Sequence, residues 1–198
     1  MIKFEGMKAE AGNTGAYPML PEGPYIAEIK AVKIDGDEPN QSLIIRVDIT
    51  EGEYKDYFSK RYAVESGKTD SQYPAKYKGD YRLRIPHPQS NSQWPDSDKR
   101  KFNDMIFRVE QSNDGFHWDG DERKLIGKAV GINMQLNTFN DKEYTKIGRF
   151  EVVEDIRRNM IKPMRHGNPR YSDDYIGTQN AESTGSAFTP VEDVEIPF

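Results

Sequence analysis

The sequence contains no cysteine, three histidines and no long apolar run. The absence of cysteine excludes disulfides, thiolate metal sites and thiol nucleophiles, and it is typical of a reducing compartment. His87, His117 and His166 lie far apart and share no short ligand spacing, so no metal site or cofactor is predicted. No segment approaches the ~18 apolar residues of a membrane span, and the N-terminus lacks the apolar core of a signal peptide. These absences predict a cytoplasmic protein that does not contact a membrane.

Aliphatic residues are also scarce, whereas aromatic residues are not. Hydrophobic residues make up 35% of the chain and charged residues 31%, which is a more polar composition than that of an average globular domain. Aromatic residues still reach 11%. This imbalance predicts that some rings are displayed on the surface rather than buried.

The net charge of -5 is distributed unevenly along the chain. Residues 172–198 contain six acids and no base, so residues 1–171 hold 27 acids against 28 bases, a formal charge of +1. At the end of residues 1–171, just before the acidic tail, residues 157–170 form a basic collar that has five basic residues and no acid. The charge pattern therefore predicts a near-neutral body, a basic collar and an acidic tail. A homo-oligomer that joins several grooves would offset the low charge of the body.

Alternating apolar residues predict five strands. The clearest alternation covers residues 43–50, where Leu43, Ile45, Val47 and Ile49 share one face. The other predicted strands cover residues 23–34, 81–85, 125–137 and 143–154.

One helix is predicted between the third and fourth strands. Pro95 and the acids after it begin the helix, and Gly115 ends it. An apolar stripe at helical spacing consists of Phe102, Met105, Ile106 and Val109.

This order of elements predicts a mainly β fold, an OB-fold-like five-stranded barrel with a helix between strands three and four. A small α+β sandwich with one helix fits the same order. We expect residues 1–22 to be a loose N-terminal lead-in and residues 23–156 to form the barrel. Residues 157–198 are expected to hold the basic collar, a flexible linker and a disordered acidic tail.

The last six residues resemble the C-terminal tip of bacterial single-stranded DNA-binding proteins. In such a tip a terminal Phe ring can fill an apolar pocket while its carboxylate pairs with a base, and the proline lowers the cost of ordering. Val194 departs from the pattern, because it stands where the family usually has an acid. The matching residues are Asp193, Glu195, Ile196, Pro197 and Phe198.

The body, over residues 20–154, is similar to phage-encoded single-stranded DNA-binding proteins. The matching segments are LPEGPY from Leu20, LIIRVDITEGEYKDYFSKRY from Leu43 and LIGKAVGINM from Leu125. The resemblance implies an OB-fold that binds single-stranded DNA without strong sequence preference and is not an enzyme. It also implies a role in phage replication, recombination or repair, with replication and repair proteins as partners of the tip.

A protein that binds single-stranded DNA needs basic side chains to contact the phosphates and aromatic faces on which the nucleobases stack. In an OB-fold both are centred on strands two and three and on the flanking loops. The predicted phosphate contacts are Arg46, Lys60, Arg61, Lys76, Lys78, Arg82 and Arg84. The predicted stacking rings are Tyr57, Phe58, Tyr62, Tyr81, Trp94, Phe139 and Tyr144. For Phe58 and Tyr81, packing in the core or at its edge is the alternative.

Two other functions compete with DNA binding. One is an adaptor protein in recombination that uses the tip and has little DNA affinity. The other is a metal-dependent nuclease, for which Asp48 and the triplet Glu53-Tyr54-Lys55 would supply two carboxylates. Three roles are open for the basic collar. It would extend the DNA path, bind the acidic tip when DNA is absent, or only keep a linker solvated.

Overall fold

The computed structural model describes residues 17–68, 74–140 and 142–164. The strands are β1 (Gly23–Asp35), β2 (Ser42–Ile49), β3 (Asp80–Arg84), β4 (Ala129–Phe139) and β5 (Lys142–Glu151). The helices are α1 (Tyr57–Ser66), α2 (Pro95–Ser112) and α3 (Val153–Arg157), and a short 3-10 turn covers Glu122–Leu125. The prediction of a mainly β fold with five strands, and with a helix between strands three and four, is confirmed.

The five strands form one antiparallel sheet in the order β3-β2-β1-β4-β5. β3 and β5 are its two edges, and no ladder joins them in the described residues, so the sheet is open where an OB-fold-like barrel was predicted. Side chains join them instead. The rings of Tyr81 on β3 and Phe150 on β5 are stacked with centroids 4.8 Å apart, and α2 packs against β3, β4 and β5.

The core lies between the inward face of the sheet and α2. Leu43, Ile45, Val47 and Ile49 of β2 are all buried, as their alternation predicts. On α2, the helical stripe supplies Phe102, Met105 and Val109 to the same core, while Ile106 packs at its margin. The hydrophobic patterns of β2 and α2 therefore identify the core correctly.

Helix α1 has no counterpart in the predicted elements. Its first turn is capped by Asp48, which is 2% exposed and lies on β2. The Asp48 carboxylate accepts hydrogen bonds from the backbone N–H groups of Phe58 (3.0 Å) and Ser59 (3.1 Å). It also accepts hydrogen bonds from the Ser59 hydroxyl and from the backbone N–H of Ile49. A carboxylate there also suits the positive end of the helix dipole.

Contacts of the body extend beyond residues 23–156 at both ends. Leu20 is fully buried, and its carbonyl accepts a hydrogen bond from the Thr145 hydroxyl (2.8 Å). The body also continues beyond residue 156, since the Asn133 amide donates to the Lys162 carbonyl (2.9 Å). We call residues 153–164 the C-terminal strap.

The C-terminal strap lies on the outer face of β4 and β5. A Cβ at Gly131 would come within 2.5 Å of the Ile156 side chain, and one at Gly148 would overlap the Met164 sulfur. Gly131 therefore has to be glycine, since a Cβ there would also come within 2.8 Å of the Glu151 backbone oxygen, whereas at Gly148 the obstacle is the flexible end of Met164. Farther from the strap, outward residues of β1, β2 and β3 are exposed, among them Lys33, Arg46 and Arg82.

Within the residues described, no helix combines the length and the apolar character needed to cross a bilayer.

Candidate nucleic-acid interface

The outer face of β1, β2 and β3 carries bases in register. Lys33, Ile44 and Arg82 form one row across the three strands, since Lys33 pairs with Ile44 and Ile44 with Arg82. Neighbouring rows on this face bring in Arg46 and Arg84. Directly opposed residues on paired strands share one face, so these side chains form a single surface.

Two aspartates moderate the charge of this surface. The Arg46 guanidinium donates to both carboxylate oxygens of Asp80, from Nε at 2.8 Å and from Nη2 at 3.0 Å. The hydrogen bond to Asp80 raises the pKa of Arg46 above its ordinary value. Arg82 donates a single hydrogen bond to Asp35, the last residue of β1. Both arginines remain about half exposed, so each can still reach an anion from solvent.

A shallow depression of about 260 Å³ lies between the bases. Ala31 and Ile44 give it an apolar floor, and Lys33, Arg46 and Asp80 line its sides. An apolar floor surrounded by cations suits a flat, weakly polar group that is attached to an anionic backbone.

Tyr77 borders this surface and was missed by the sequence prediction. The Arg46 guanidinium carbon lies 4.5 Å from the centre of the Tyr77 ring, and the Tyr77 hydroxyl donates to the Val47 carbonyl (3.1 Å). Burial raises the pKa of Tyr77 to about 12, so the hydroxyl stays protonated as a donor. The signal that could have identified it is the alternation Lys76-Tyr77-Lys78 directly before β3.

Lys76 and Lys78 are exposed on either side of Tyr77. Neither forms an ion pair with any residue in the described ranges. Tyr62 of α1 is 42% exposed, and its ring centre lies 5.9 Å from that of Tyr77. We use the name basic face for the outward surface formed by Lys33, Ile44, Arg46, Tyr62, Tyr77, Arg82 and Arg84, together with the neighbouring exposed segment that carries Lys76 and Lys78.

Three of the predicted stacking rings point into the core. Tyr57 is 4% exposed and Phe58 is 2% exposed, because the capped first turn of α1 presses both rings onto the sheet. Tyr81 alternates with Arg82 and so faces inward, where burial raises its pKa to about 12. This burial corrects the predicted stacking role of these three rings, and we leave them out of the basic face.

The remaining predicted residues lie on other elements. On α1, Arg61 donates to Glu65 (2.7 Å) and Lys60 donates to the Lys55 carbonyl (2.8 Å). Trp94, which is 72% exposed, precedes α2. Phe139 and Tyr144 are exposed near the turn between β4 and β5.

The triplet that suggested a nuclease is not assembled with Asp48. Asp48 uses its oxygens to cap α1, whereas Glu53 and Lys55 lie in the turn before that helix. In the part of the chain that the structure describes, no three acidic or histidine side chains form a group suited to a metal ion.

The basic collar is described up to residue 164. Arg157 donates to Glu51 (2.8 Å) and Arg158 donates to Glu154 (3.0 Å), so two of its bases are already paired within the body. Arg165, Arg170 and the predicted tip at residues 193–198 lie outside the described residues.

No family model matches this chain, and no curated protein matches it at a significant level.

Proposed function

We propose that the basic face binds single-stranded DNA and that residues 193–198 recruit replication or repair proteins. The observation that carries the proposal is the composition of the basic face. Four basic residues share one outer surface with two aspartates, around the apolar side chain of Ile44 and beside two tyrosine rings. Two exposed lysines, Lys76 and Lys78, flank one of these rings in the chain. Sequence-independent binding of single-stranded DNA requires basic side chains that contact the phosphates and aromatic rings that stack on the nucleobases.

The position of this face also supports the proposal. OB-folds are partly open five-stranded barrels that bind oligonucleotides on the face of strands two and three. Here the bases lie on β2 and β3 and on the adjoining part of β1, and α2 joins β3 to β4. We propose an OB-type arrangement in which the edge strands β3 and β5 are joined by the Tyr81–Phe150 ring contact and by α2, rather than by a hydrogen-bonded ladder.

The first prediction is that the protein binds a fluorescent oligo-dT of about thirty nucleotides, measured by anisotropy at two salt concentrations. Binding should weaken as salt rises. Each phosphate contact contributes about 0.7 to the slope of log affinity against log salt, so six bases set a maximum near 4. An unlabelled duplex should compete poorly, because the rings of the basic face need unpaired bases.

A competing function is the adaptor with little DNA affinity. It is favoured by the pairing of Arg46 and Arg82 with Asp80 and Asp35, which lowers the free positive charge of the face. The same titration separates the two functions: a protein that fails to bind oligo-dT even at low salt is not a DNA-binding protein through this face.

The second prediction concerns the tip. A chain that lacks residues 196–198 should lose capture of host replication and repair proteins by at least tenfold, because it lacks the terminal ring and its carboxylate. Pull-down from a bacterial lysate, quantified by mass spectrometry, measures this loss.

The matched control for the tip is Val194→Ala, a change at the position that departs from the family pattern. Its capture should equal that of the unaltered chain. Equal capture by the truncated chain would overturn the recruitment role, while oligo-dT affinity serves as the check that the body is intact.

A further inference from the structure

A cleft of about 320 Å³ opens beside the basic face, between the end of β3, the proline-rich loop at residues 85–94 and the first turn of α2. Binding pockets for small molecules begin at about 300 Å³, so the cleft is the size of one nucleotide unit. Arg84 belongs both to the basic face and to the lining of the cleft. A DNA strand that follows the basic side chains of β2 and β3 therefore reaches the mouth of the cleft.

The walls of the cleft are apolar and rigid. Ile85 and three prolines, Pro86, Pro88 and Pro95, supply them. Proline rings are fixed in conformation, so packing a flat ring against them costs little conformational entropy. In the chain, Trp94 lies between two lining residues, Ser92 and Pro95, and its side chain is 72% exposed.

The charges that line the cleft cancel. Arg84 and Lys99 are balanced by Asp96 and Asp98. Such a lining does not favour a free phosphate, which would meet two carboxylates together with the two bases. It suits a neutral group that offers both hydrogen-bond donors and acceptors, as a nucleobase does.

The loop holds these polar groups in place. Arg84 donates to the Asn91 side-chain oxygen (2.8 Å) and to the Ser90 hydroxyl (3.2 Å), and Asn40 of the β1–β2 turn accepts from the Asn91 N–H (3.0 Å). The Ser92 hydroxyl donates to Asp98 Oδ2 (2.5 Å). Asp98 thus keeps its second carboxylate oxygen as an acceptor for a further donor.

His87 adds a donor. Its Nδ1 accepts a hydrogen bond from the Gln89 N–H (3.1 Å), so in the neutral ring the proton is on Nε2. The cleft therefore offers a carboxylate acceptor and an imidazole donor between apolar walls.

We infer that this cleft receives one base of the bound strand and prefers a base that carries an exocyclic amino group. A carboxylate accepts from the N4 amino group of cytosine, whereas thymine has a carbonyl oxygen at that position and would be repelled. The inference rests on the proposed binding of single-stranded DNA and adds a subsite with base preference to it.

The test compares the affinities of oligo-dC and oligo-dT of equal length by anisotropy at neutral pH. Homopolymers are suitable because every binding register then places the same base in the cleft. The unaltered protein should bind oligo-dC about fivefold more tightly, the lower end of what one specific base contact gives. In Asp98→Asn the preference should disappear, because the carboxylate that accepts from the amino group of cytosine and repels the carbonyl oxygen of thymine is gone.

The matched control is Asp114→Asn, which removes one exposed carboxylate at the far end of α2 and should keep the full preference for oligo-dC. Equal affinities of the unaltered protein for the two homopolymers would overturn the base subsite and leave the proposed function standing. Full preference in Asp98→Asn would also overturn it. Failure to bind either homopolymer at low salt would overturn the proposed function and the subsite together.

Discussion

Exchanging Lys33 and Arg82 for glutamate in one variant should weaken oligo-dT binding about a hundredfold at low salt. The two residues flank Ile44 in a single row of the basic face, so each exchange replaces a phosphate contact by a repulsion. Two lost contacts should also reduce the slope of log affinity against log salt by about 1.4. Anisotropy titrations over a range of salt concentrations measure both quantities.

The matched control reverses Lys101 on α2 and Arg123 in the 3-10 turn. The two variants change the net charge equally. The first breaks the ion pairs of Lys33 and Arg82 with Asp35, and the control breaks the ion pair of Arg123 with Asp121. The control should lose less than about threefold, through the long-range field alone. Equal losses in the two variants would show that DNA responds to the net charge of the protein and not to the basic face.

The largest expected change in stability follows from Glu151→Ala. Glu151 lies at the end of β5 and is completely buried, and its carboxylate accepts hydrogen bonds from Arg108 (2.5 Å), Arg149 (2.6 Å) and Asn133 (3.2 Å). Removing it leaves the partly buried Arg108 without its most buried partner. We expect the free energy of unfolding to fall by about 3–5 kcal/mol, the usual cost of breaking a buried ion pair.

Urea denaturation measures this loss as a lower midpoint. Glu154→Ala is the control, since Glu154 pairs with Arg158 on the surface, where both side chains are more than half exposed. That pair should contribute less than about 0.5 kcal/mol. A loss for Glu151→Ala as small as that of the control would mean that the network around Glu151 does not stabilise the seam between β5 and α2.

The elements that could be predicted are those whose pattern is local. The alternation of β2 and the helical stripe of α2 are complete within their own residues, and both are buried as predicted. Helix α1 could not be predicted in this way, because its cap is Asp48, ten residues earlier and on a different element. Its buried rings are also confined to its first turn.

The same reasoning explains which site residues were found. Arg82 and Arg84 were predicted because they alternate with Leu83, and they do lie on the outer face. Tyr57 and Phe58 were assigned to the surface because α1 was not recognised. Lys33 was missed because its place in the basic face depends on the register between β1 and β2, which no single strand reveals.

The C-terminal strap has a consequence for assembly, because it fixes the point from which the rest of the chain departs. That point lies against β5, whereas the basic face lies on β1, β2 and β3. Residues 165–198 can span at most about 120 Å when fully extended. One molecule confined to a sphere of that radius has a concentration of about 0.2 mM. A repair enzyme held by residues 193–198 would therefore meet the bound strand at that local concentration, even where its own affinity for DNA is weak.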